Sequence, residues 1–154
     1  MSRPRRRSVH KHGDSRRYDD WLDKAGEDVV AAWLLVNNDL CYNAAAFHCQ
    51  QAVEKALKAY ILIKSAALVD GHNLPWLCKK AMRYHPVFRN WMDECTALSH
   101  CYIETRYPAD LPLELDFARV MRHYRMAKDM YLFICEQVDN MLEENSAHPA
   151  QKSK

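Results

Sequence analysis

Gln51, Glu54, Lys55 and Lys58 recur at intervals of three and four residues within the run His48–Ala59, and His72 and Arg106 follow further along the chain. The ammonium groups of Lys55 and Lys58 are donors of the kind that hold phosphate oxygens. The Gln51 amide both donates to and accepts from a base or ribose, and the Arg106 guanidinium is shaped to clamp a phosphate through two parallel hydrogen bonds. Tyr107 offers a ring for stacking on a base, or for packing beside Pro108 to stiffen its loop. A plainer reading stands beside each of these. Glu54 and Lys58 form an i,i+4 pair in the stabilising order that needs no ligand, so on spacing alone a solvated helix face is the simpler account of the stripe. His72, directly after Gly71, reads as a loop anchor or local cap as well as a ligand group.

Other chemistries lack their residues. The sequence has no phosphate-binding glycine loop, dinucleotide fingerprint, nucleophile elbow or metal-ligand motif, so no catalytic residue, metal or cofactor is assigned. Cys41, Cys49, Cys78, Cys95, Cys101 and Cys135 are irregularly spaced and include no Cys-x-x-Cys pair. They read as reduced thiols in a cytoplasmic protein, packed as small apolar side chains. His48, at the edge of the stripe, and His85, His100 and His123 carry the ordinary structural reading. No apolar run approaches the length of a membrane span.

The elements that must position these groups are helical. Only three glycines, no sustained apolar–polar alternation and long stretches of Ala, Leu, Met, Lys and Glu in a chain of 154 residues predict one all-α domain. The central helix is expected over Tyr42–Ala67. On its wheel Cys49, Ala52, Val53, Ala56, Leu57 and Tyr60 share one broad side, with Gln50, Gln51, Glu54, Lys55 and Lys58 opposite. A first helix is expected over Asp19–Asn37, capped by Asp19 or Asp20, with Trp21, Ala25, Val29, Ala32, Trp33 and Val36 facing the core. Asn73 is placed to cap a short third helix ending near Tyr84. A fourth runs from Pro86 to Cys101, and a last one over Glu114–Leu142 carries Phe117, Val120, Met121, Tyr124, Ala127, Tyr131, Ile134, Cys135 and Val138 inward. Short connections make this an up-and-down four-helix bundle with an additional short helix.

Charge divides the chain. Residues 1–17 hold seven basic residues against Asp14 alone and read as a disordered basic arm. The remainder holds fifteen basic against nineteen acidic residues, a net charge of −4, which is not a general nucleic-acid-binding surface. The bundle is assigned to 18–142, and 143–154 to a polar, frayed tail.

The run Gln50-Gln51-Ala52 followed by Glu54-Lys55-Ala56-Leu57-Lys58-Ala59 resembles the central-helix signature of the HEPN domains, small helical proteins named for higher eukaryotes, prokaryotes and nucleotide binding. Gly71-His72-Asn73-Leu74 and Thr105-Arg106-Tyr107-Pro108 fall where that family carries its later pieces, and the likeness covers about Tyr18 to Leu142. The resemblance implies that the helix bearing Gln51, Glu54, Lys55 and Lys58 lines a cleft for a nucleotide or RNA ligand, with His72, Arg106 and Tyr107 nearby. It also implies a homodimer, and a small nucleotidyltransferase as protein partner in the manner of toxin–antitoxin pairs.

Ribonuclease members of that family carry an arginine followed by a histidine with four to six residues between them. In the body of this chain Arg119 and His123 have three between them, and His100 precedes Arg106. Pairs such as Arg5 with His10 match only inside the basic arm. The reading is therefore a nucleotide-binding or interaction module without robust catalysis of its own. The alternatives are a metal-independent ribonuclease or toxin using Arg106 with His72 or His100, and a purely structural dimerisation module. Thiol titration of the denatured protein is expected to count all six cysteines, with no stoichiometric zinc by elemental analysis. Protected disulfides or bound zinc would overturn this reading of the cysteines.

Overall fold

A computed structural model of the chain describes residues 14–102, 108 and 114–147. They hold five α-helices, α1 Tyr18–Val36, α2 Tyr42–Ser65, α3 Leu74–Met82, α4 Met92–Ser99 and α5 Phe117–Ala147, with 3₁₀ turns at Asp39–Cys41 and Pro86–Trp91. No strand occurs among the described residues, and none of their helices is long and apolar enough to cross a membrane.

Cross-helix contacts fix the directions. Asp28 of α1 bonds His48 and Lys55 of α2, while Trp21 lies near Lys58 and Val36 packs with Ala45 and Ala46, so α1 and α2 are antiparallel. Trp33 meets the Tyr124 ring, and a Cβ on Gly26 would lie 2.8 Å from the Tyr131 hydroxyl, so α5 is antiparallel to α1 and parallel to α2. The remaining side is closed by α3, the second 3₁₀ turn and α4. Phe88 of that turn packs between Tyr60 of α2 and Phe133 of α5, with ring centroids 4.6 and 5.3 Å away. The bundle thus has three long helices and a fourth wall built of short pieces.

Local signals explain several boundaries. The Asn73 side chain accepts from the Trp76 amide at 2.8 Å and caps α3, with Pro75 in its first turn. Asn38 caps the first 3₁₀ turn in the same way, accepting from the Leu40 amide. α1 begins differently from expectation. Its cap position is Arg17, which makes no side-chain capping bond, and Asp19 and Asp20 lie inside the first turn, where negative charge favours the positive end of the helix dipole. Ser15 anchors that end by donating to Asp20 and accepting, through its carbonyl, from the Trp21 indole. α2 stops at Ser65 because Ala66 turns into the left-handed region at φ 55°, without the glycine that usually does this. α5 starts three residues later than expected and runs through Ala147, past the expected fraying point.

α2 is the centre of the molecule, and its burial corrects the wheel. Ala45, Ala46, Cys49, Ala52, Ala56 and Ala59 are buried, and side chains this small let neighbouring helices come close. Gln50, Glu54 and Lys58 are buried as well, while Gln51 and Lys55 are half-buried, so the solvated face that spacing alone suggests is not present at Glu54 and Lys58. Two aromatic positions also depart from expectation: Trp33 and Phe117 are about half exposed, because their positions fall beside the inward faces of α1 and α5. The face of α1 that does point inward carries Ala25, Asp28, Ala32 and Val36, and that of α5 adds Met130 and Met141 to the expected set.

Phe88 is fully buried with partners on α2 and α5, so Phe88→Ala is expected to cost about 3–5 kcal/mol. Leu40, 90% exposed, should change stability by no more than about 0.5 kcal/mol when replaced by alanine. Urea unfolding followed by circular dichroism checks both, and equal losses at the two positions would contradict this assignment of the core.

Candidate functional site

The buried and half-buried polar residues of α2 form two clusters. In the first, Asp28 of α1 accepts from Lys55 and from His48 Nδ1, the latter at 2.8 Å. In the second, Glu54 is the hub. Its Oε1 accepts from Lys58 Nζ and from His72 Nδ1, each at 2.9 Å, and its Oε2 accepts from Gln50 Nε2 at 2.9 Å and Gln51 Nε2 at 3.4 Å. Gln51 also donates to the Gln50 carbonyl oxygen at 2.8 Å, and Gln50 reaches the His72 backbone carbonyl at 3.3 Å. Positions 50, 54 and 58 lie one above another on α2, so the helix itself sets the order amide, carboxylate, ammonium.

The Glu54 and Lys58 side chains are only 4% and 7% exposed. A carboxylate so far from water is tolerated because each oxygen has donors, and the ammonium because the carboxylate lies beside it and the Trp21 ring face is 5.6 Å away. His72, by contrast, has half of its side chain in solvent. Gly71 delivers it with a backbone φ of 109°, a conformation that side-chain-bearing residues rarely adopt. The ring stacks on Tyr102 with centroids 4.4 Å apart and planes 12° from parallel. Because a carboxylate only accepts, Nδ1 of His72 carries the proton shared with Glu54. In the neutral ring Nε2 is then the lone-pair atom.

Of the residues singled out by sequence, Gln51, Glu54, Lys58 and His72 come together in one cluster. Lys55 belongs to the neighbouring cluster on Asp28. Arg106 and Tyr107 lie outside the described residues. Both lysines are matched by carboxylates, so neither stands as an unpaired cation awaiting an anion. Asp28, Gln50 and Tyr102 are members that the sequence reading misses. Asp28 carries a legible signal, since it falls in register with Ala25, Ala32 and Val36 and a carboxylate on an apolar stripe demands a partner. Tyr102 carries none. His123 is no site residue: its Nδ1 lies 3.6 Å from Cys101 Sγ, and burial, then Arg122 and Arg119, push its pKa below the usual histidine value. Among the described residues no group of His, Cys, Asp and Glu could hold a metal ion.

Removing one partner of a buried pair strands the other. Glu54→Ala is therefore expected to destabilise the fold by about 3–5 kcal/mol, and Glu54→Leu with Lys58→Met to recover part of that loss. Denaturant titration of the single and double variants decides it, and a near-neutral Glu54→Ala would show that the cluster is hydrated.

The HEPN domain family model matches residues 18–138. Two solved structures share the fold. The protein TT1696 from Thermus thermophilus is 26% identical with a TM-score of 0.70, and the alignment covers 79% of this chain and 98% of that one. ST0689, an archaeal HEPN homologue, is 22% identical with a TM-score of 0.63 over the same shares of the two chains. No curated protein matches the sequence. With the family match spanning both polar clusters and all five helices up to Val138, the chain belongs to the HEPN domain family.

Proposed function

We propose that this HEPN domain is a homodimeric nucleotide- or RNA-binding module whose ligand is engaged at the His72 edge of the α2 polar layer, without catalysis of its own. The observation that carries the reading is the His72 ring. It is held at Nδ1 by a buried carboxylate, stacked on Tyr102, and half exposed. Such a ring is pre-organised, so little rotamer freedom is lost when a ligand donates to Nε2 or lies against the ring pair. Arg106 follows Tyr102 by four residues, a link that spans at most about 14 Å when fully extended, so its guanidinium is the cation assigned to the phosphate. Lys55 and Lys58 then serve to neutralise Asp28 and Glu54 rather than to bind the ligand directly. The protein partner proposed is a small nucleotidyltransferase.

A second reading draws on the same hydrogen bond. A half-exposed imidazole oriented by a carboxylate has the form of a general base, and with Arg106 as the phosphate cation it would make a metal-independent ribonuclease.

Calorimetric titration with mononucleotides and short RNA tests the first reading. His72→Ala and Arg106→Ala are each expected to weaken binding by about ten- to a hundredfold, and Lys55→Ala to act chiefly on stability. Binding that is absent in wild type, or untouched in both variants, would end that reading. RNA cleavage in excess chelator, lost in His72→Ala, would instead establish the second.

A further inference from the structure

On the side of α5 away from its buried residues, the side chains at 125, 128, 132, 136 and 139 recur at intervals of three, four, four and three, which places them on one stripe of the helix. They are Arg125, Lys128, Leu132, Glu136 and Asp139, all exposed except Lys128, which is half-buried with its ammonium 5.9 Å from the Tyr124 ring. The spacing is symmetric about Leu132, and the charges are antisymmetric: basic at 128 and 125 on one side, acidic at 136 and 139 on the other. Leu132 at the centre is 55% exposed. None of Arg125, Lys128, Glu136 and Asp139 has an ion-pair partner among the described residues.

We propose that this stripe is a self-complementary surface on which two copies of the chain pair through antiparallel α5 helices, with the two-fold axis passing through Leu132. A rotation about that axis sets position 132 + k opposite 132 − k. Lys128 then faces the partner's Glu136, Arg125 faces the partner's Asp139, and Leu132 meets the partner's Leu132, with each ion pair formed twice. A parallel pairing would set like charges together, so the pattern selects the two-fold arrangement. At the basic end of the stripe, Trp33, Met121, Tyr124, Arg125 and Lys128 line an open hollow of about 390 Å³. In this arrangement the acidic end of the partner's helix lies over the hollow and supplies it with counter-charge. The inference deepens the homodimer reading above and rests on it.

Light scattering at micromolar concentration, with circular dichroism to confirm folding, tests it through a charge swap. Wild type is expected at twice the 18.1 kDa chain mass, with dissociation favoured by added salt. Lys128→Glu and Glu136→Lys are each expected to weaken the dimer by about tenfold or more, since each sets like charges together at two symmetric places. The double variant Lys128→Glu/Glu136→Lys is expected to restore it. Within one chain the two positions are about 12 Å apart along the helix, so rescue reports pairing across the axis. Leu132→Arg should abolish the dimer. A monomeric wild type would overturn both this surface and the homodimer reading. A wild-type dimer indifferent to the single reversals, or not rescued by the swap, would put the interface elsewhere and overturn this surface alone.

Discussion

The Glu54 carboxylate, buried at the centre of the central helix, is the constraint on which the arrangement depends. An ionised carboxylate taken out of water is tolerated only when its oxygens are filled with donors, and here they come from three places: the turn below on α2, the turn above, and the loop that ends at His72. Satisfying Glu54 therefore fixes the rotation of α2 and the path of the chain after it. Asp28 does the same between α1 and α2, since one carboxylate joins His48 and Lys55 two turns apart. Apolar packing by small residues sets how close the helices come, whereas the two carboxylates set how they are turned.

The same chemistry separates the roles of residues that look alike in sequence. Lys55, Lys58, His48 and His72 are all cationic or potentially so, yet three of them face inward on carboxylates while His72 reaches the surface. The exposed imidazole is thus oriented by a carboxylate that is itself buried, a positioning layer beneath a surface group.

The helices are legible in the sequence, and the burial of the polar residues is not. The register of α2, the Asn73 cap and the breaks at Gly71 and Pro86 follow from local rules and recur in the structure. Wheel patterning fails at Gln50, Glu54 and Lys58 because it assigns each residue to water or core singly, while these side chains are buried in one another's company. The same blindness hides Asp28. Trp33 misleads for the opposite reason: a large aromatic one position off the inward face of α1 counts as core on a wheel, but it lies on the rim, covered on one side by Tyr124. Local rules predict the fourth wall as one helix from Pro86. It is a 3₁₀ turn that inserts Phe88, followed by two turns of α-helix, a geometry decided by the space between Tyr60 and Phe133 rather than by local propensity.

The two carboxylate clusters are local in the chain, since Asp28 finds His48 twenty residues on and Glu54 finds His72 eighteen residues on. α5, which completes the apolar core, begins only at Phe117. Loop-closure cost rises with separation, and synthesis delivers the chain from its first residue, so the α1–α2 hairpin can register its charges while α5 is still unmade. The contacts that turn α1 and α2 relative to each other therefore close short loops of low entropic cost, whereas the apolar cover that α5 lays over their alanine-rich flank closes much longer ones.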